Sequence, residues 1–154
     1  MSRGRDALAS RDWALAQESF AEAVAEGGSP DALDGLGRAL WWLKDVRAAI
    51  EIRTRAHRAS KSQGRLVEAA AVAIWLAREL RPLFRNDAAA DGWLARAETL
   101  AIREGDSSIP GWVSLARAEA TSDATEAIAC RRSAGSAERR YCVLRALGDG
   151  RDAR

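Results

Sequence analysis

The sequence predicts an all-α fold made of repeated antiparallel helix pairs, and three observations carry that expectation. Alanine supplies 34 of 154 residues, against 6 Trp, 2 Phe, 1 Tyr and only 3 Pro. Ala, Leu, Glu and Arg lose little conformational freedom in a helix, so this composition favours helices throughout. A spacing grammar also repeats: Ala, a large or long residue four positions on, and Ala three further. It occurs at Ala16/Phe20/Ala23, Ala49/Arg53/Ala56, Ala90/Leu94/Ala97 and Ala127/Arg131/Ala134. About a dozen residues before each copy stands a small residue followed by Arg: Gly4-Arg5, Gly37-Arg38, Ala77-Arg78 and Ala116-Arg117. These starts are 33, 40 and 39 residues apart, close to the period of stacked two-helix repeats. Small residues let two helix backbones approach closely, and the larger residue fills the space left between them. One helix pair hides only part of its apolar surface, so neighbouring pairs must stack to complete a core.

The elements follow in order. After a short opening helix carrying Gly4-Arg5, Asp12 is placed to cap a second helix that runs to about Glu26. Gly27-Gly28 stop it, and Ser29-Pro30 supply a cap and a first-turn proline for a third helix reaching about Leu43. Asp45 opens a fourth, which ends near Ser62-Gln63-Gly64. A fifth begins there and terminates around Arg81-Pro82, since proline disfavours helix continuation. Asn86 or Asp87 starts the sixth. Gly105 to Pro110 form the longest turn-like stretch, before a seventh helix that closes ahead of Asp123. Asp123-x-x-Glu126 resembles a capping box and opens an eighth. A ninth spans Ser136 to Leu147, and residues 148–154 form a frayed tail. The expected organisation is therefore one helical-repeat domain over residues 1–147.

Trp13, Trp75, Trp93 and Trp112 fall within helical periodicity and are expected to pack between repeats. Trp41 and Trp42 point about 100° apart on one helix, so one should be less buried than the other.

Charge and composition narrow the function. With 24 basic and 22 acidic residues the formal charge is +2, well short of the balance expected of a dedicated nucleic-acid binder. Arg131, Arg132, Arg139, Arg140 and Arg145 gather near the C-terminus, where Glu126 and Glu138 dilute them. Cys130 and Cys142, the only cysteines, are too few for a disulfide framework and read as reduced helix residues. No signal-peptide core and no run of 18 apolar residues stands in the sequence, so a cytoplasmic, soluble protein with no membrane partner is expected. No metal motif, phosphate loop or nucleophile motif is present, and no cofactor or enzymatic activity is expected. His57, the single histidine, reads as a surface or packing residue.

The repeats resemble the tetratricopeptide family, with Leu36-Gly37, Leu40, Ala49 and Ala56 matching its pattern and Arg53 replacing the usual aromatic. More narrowly, three stretches look like the helical-repeat region of actinobacterial LuxR-type transcriptional regulators. These are Gly4-Arg5-Asp6-Ala7-Leu8 with Asp12-Trp13, Ala32 to Leu43, and Gly92-Trp93-Leu94-Ala95-Arg96-Ala97-Glu98. The resemblance implies a right-handed superhelix of about four helix pairs plus a C-terminal helix, with the first helices lining its concave face. It also implies that Arg5, Arg38, Arg78 and Arg117, one equivalent position in four repeats, point into one groove. Trp41 and Arg81 add to that groove. Asp34 stands four residues before Arg38 and is placed to pair with it, whereas Arg78 and Arg117 have Ile74 and Val113 at that spacing.

Arginine offers a planar fork of donors to carboxylates and phosphates. The expected function is a non-enzymatic, regulatory interaction module that holds an acidic peptide segment or small anionic ligand. The alternatives are self-association through an apolar edge at Cys142-Val143-Leu144 and Ala146-Leu147, and, less favoured, nucleic-acid binding.

Overall fold

A computed structural model describes residues 2–104 and 109–121. Among the described residues there are seven α-helices and no strand, in agreement with the all-α expectation. No helix among them is long and apolar enough to cross a membrane. The eighth and ninth helices, the 148–154 tail, the fourth repeat copy, both cysteines and the C-terminal arginines lie outside the described residues.

The chain divides into two compact units, residues 1–65 and 66–154. The first contains α1 (Ser2–Ala9), α2 (Trp13–Ala25), α3 (Pro30–Trp42) and α4 (Val46–Ser62). Their starts are set by local chemistry. The side chains of Asp12, Ser29 and Asp45 each accept a hydrogen bond from the backbone N–H three residues on, at 3.1, 3.2 and 3.2 Å, which satisfies a donor the helix itself leaves unpaired. The turns within the pairs share one form. Arg11 and Lys44 adopt left-handed backbone, φ 62° and 67°, and the cap residue follows at once. The N–H groups of Asp12 and Asp45 then reach back to the carbonyls of Ala7 and Leu40 at 2.9 and 3.0 Å.

The repeat grammar maps onto the core of this unit. Ala16, Phe20, Ala49, Arg53 and Ala56 are all buried. Each large residue sits against a glycine on a facing helix. A Cβ on Gly4 would stand 2.9 Å from the Phe20 ring, and one on Gly35 would stand 2.5 Å from it. A Cβ on Gly37 would overlap Cγ of Arg53. These glycines therefore make the close approach of α1 and α3 to the large residues of α2 and α4 feasible. Phe20 anchors a cluster with Ala7, Ala32, Leu36, Ala39 and Leu40, and burying such a ring is worth about 2–3 kcal/mol.

The second unit contains α5 (Leu66–Phe84), α6 (Asp87–Glu104) and α7 (Ile109–Thr121). Asn86 Oδ1 accepts from the Ala89 N–H at 3.0 Å, after Arg85 with φ 49°, repeating the turn form of the first unit. Helix α5 runs through Pro82 to Phe84, past the expected stop at Arg81-Pro82. The proline falls in the last turn: its fixed φ suits helical backbone, its missing N–H forfeits one helical hydrogen bond, and the helix ends two residues later. Ala90, Leu94 and Ala97 are again buried, and Leu94 shares a core with Ala77, Ile74, Leu100, Ile109 and Val113. Here Ala77 stands at the repeat position of Gly4 and Gly37, and the large residue is the smaller Leu. All nine residues from Ala69 to Ala77 are buried, Trp75 among them. Trp93 and Trp112 pack partly buried against the core.

Candidate functional site

Helix α3 is buried over most of its surface, and five of its residues are half-buried: Asp31, Asp34, Arg38, Trp41 and Trp42. Their spacing of three and four places them on one stripe. Buried on its other sides, α3 thus offers the surrounding medium a narrow row of two acids, one base and two indoles. Both tryptophans are half-buried. Trp42 stacks on Trp13 of α2, with ring centroids 5.1 Å apart and planes 13° from parallel.

The charges on this stripe are partnered differently from the expectation. Asp34 does not pair with Arg38. Its Oδ1 holds Arg53 Nη2 of α4 at 2.8 Å, and the Arg53 side chain is only 1% exposed. The desolvated guanidinium has far more to gain from the carboxylate than a half-solvated neighbour on the same helix, where such a pair is worth only a few tenths of a kcal/mol. Asp31 is also claimed from outside its helix, by Arg65 at 2.8 Å and by Arg5 of α1 at 3.8 Å. Both acids of the stripe are thereby matched by cations from other elements. Arg38 has no acid within ion-pair distance among the described residues. Arg5, Asp34, Arg38 and Trp41 are thus brought to one side of the first unit, Arg5 through its contact with Asp31.

The remaining expected residues lie in the second unit. Arg81 binds Asp91 of α6 at 2.6 Å and lies 3.7 Å from Asp87. Arg117 of α7 makes a two-pronged contact with Glu98 of α6 at 2.6 and 3.1 Å. Arg117 has no acid at helical spacing on its own helix, and α6 supplies the partner instead. Arg78 is half-buried and is not free either. The cations expected to serve a ligand in this unit therefore bind the protein itself.

Two residues acquire roles that sequence spacing did not reveal. Arg53 is buried and paired, and His57, one turn further along α4, is buried beside it at 5% exposure, which favours packing over a surface role. The signal for Arg53 was present: it stands where Phe20 and Leu94 stand, at the core position of the repeat grammar, and a charge there requires an acid. Among the described residues no group of three or more His, Cys, Asp or Glu is gathered to hold a metal ion. No family model, curated protein or solved structure matches the chain.

Proposed function

We propose that the chain is a non-enzymatic interaction module of the tetratricopeptide kind, regulatory in role, whose first unit captures an acidic peptide segment or small anionic ligand on the outer stripe of α3. The observation that carries this reading is Arg38, a half-buried guanidinium with no acid in reach among the described residues. It lies one helical turn from the half-buried indoles of Trp41 and Trp42. A carboxylate bound there gains charge-assisted hydrogen bonds, and an adjacent apolar group gains contact with an indole face. The cations of the second unit take no direct part, because Arg81 and Arg117 are engaged by Asp91 and Glu98. The likeness of Ala32 to Leu43 to LuxR-type regulators supports a regulatory service.

Fluorescence anisotropy with a fluorescein-labelled hexaglutamate peptide at low salt tests the reading. A hydrogen bond to a charged group is worth about 1.5–3 kcal/mol, so Arg38→Ala should weaken binding about tenfold or more. Affinity that is unchanged in Arg38→Ala would refute the assignment.

A further inference from the structure

We infer that Arg53 is a positioning residue for the Arg38 site: by holding Asp34, it keeps the neighbouring guanidinium from being neutralised. The inference rests on the reading of Arg38 above and assigns a cause to its availability.

Packing alone does not call for an arginine at position 53. The equivalent positions in the other described pairs hold Phe20, against Gly4, and Leu94, in one core cluster with Ala77, each buried and apolar. Replacing a buried ion pair by well-packed apolar residues is often neutral or stabilising, so a buried arginine is a poor way to gain stability. Its effect lies in what it does to Asp34. That carboxylate precedes Arg38 by four residues, the order and spacing that favour pairing along a helix. With Arg53 at 2.8 Å, Asp34 is engaged by a cation of α4 and its charge is balanced. Asp31 is balanced in the same manner by Arg5 and Arg65. The stripe therefore presents an undiminished positive site although two of its five members are acids.

The test uses the full chain and the same labelled hexaglutamate peptide. The double variant Gly37→Ala/Arg53→Leu copies the Ala77/Leu94 arrangement of the second unit and removes the charge while filling the space. Arg53→Met, whose unbranched chain fits beside Gly37 without a second change, is an independent route. An uncompensated acid one turn from Arg38 should lower peptide affinity about three- to tenfold at effective dielectric constants intermediate between surface and bulk water. Adding Asp34→Asn to either variant should restore the affinity, a rescue that a merely structural role for Arg53 does not produce. Circular dichroism and melting curves verify folding of each variant. Should Arg38→Ala weaken binding while loss of Arg53 leaves it unchanged, or should Asp34→Asn fail to rescue, the positioning role is overturned and the Arg38 site stands. Should the wild-type chain not bind the peptide, or Arg38→Ala bind as well as wild type, both readings fall together.

Discussion

Gly37→Ala adds a single methyl group at the closest approach of α3 and α4, and its cost can be worked from the geometry. The new Cβ overlaps Arg53 Cγ, lies 3.1 Å from Cδ and stands 3.4 Å from the Ala49 carbonyl oxygen. Cγ is near the root of its side chain, and the far end is held by Asp34 at 2.8 Å. Arg53 therefore cannot swing aside as a surface arginine would. Either the helices part, which costs about 1–3 kcal/mol for overpacking, or the guanidinium leaves its carboxylate, which costs about 3–5 kcal/mol. The cheaper response prevails. So close an overlap places it at the upper end, about 3 kcal/mol, of which about 1 is recovered because Ala is the better helix former. The expected net loss is about 2 kcal/mol, or a fall in Tm of about 4–8 °C for a chain of this size. Urea unfolding followed by circular dichroism, with calorimetry alongside, measures both. A Gly37→Ala protein as stable as wild type would refute the close approach of the two helices and the packing logic built on it.

Three further substitutions probe the local chemistry. Gly92→Ala meets only Arg96 Nη1, the tip of a flexible side chain, at 3.3 Å, so it should stabilise by about 1 kcal/mol in the same unfolding assay. Lys44→Gly relieves left-handed backbone at φ 67° and should raise stability by about 0.5–1 kcal/mol, once the greater freedom of the unfolded glycine is subtracted. Asp45→Ala removes the acceptor for the Ala48 N–H and should cost about 1 kcal/mol, with the loss readable as a lower melting temperature.

Helix starts were legible because their causes are local. Asp12, Ser29-Pro30, Asp45 and Asn86 each act on a backbone N–H within three residues, and no distant element has to be known. The repeat grammar was legible for a similar reason: a helix buries one face at fixed spacing, and the Ala16/Phe20, Ala49/Arg53/Ala56 and Ala90/Leu94/Ala97 positions are buried accordingly. Partnership of charges was not legible. The spacing of Asp34 and Arg38 satisfies the rule for a pair on one helix, yet the outcome depends on how dry Arg53 becomes, a property of α3 against α4. Glu98 and Arg117 are 19 residues apart, and Arg5 and Asp31 are 26 apart; only the packed unit brings them together. The left-handed turns at Arg11, Lys44 and Arg85 lay between these cases. A basic residue directly before Asp or Asn recurs in all three, but each side chain type is usual elsewhere with ordinary backbone.

Helix α5 bears on how the chain leaves the ribosome. Its stretch from Ala69 to Ala77 has no side left for solvent, and one part of its covering, Ala90, Leu94 and Ala97, belongs to a helix that is translated later. At ordinary elongation rates of about 5–20 residues per second, the twenty residues from Arg85 to Glu104 take about 1–4 s to appear. For that interval a nascent chain carries a greasy rod with its eventual sheath still unmade. The abundance of alanine in the rod, five of the nine residues, limits the stickiness of this exposed intermediate while still permitting the close packing that follows.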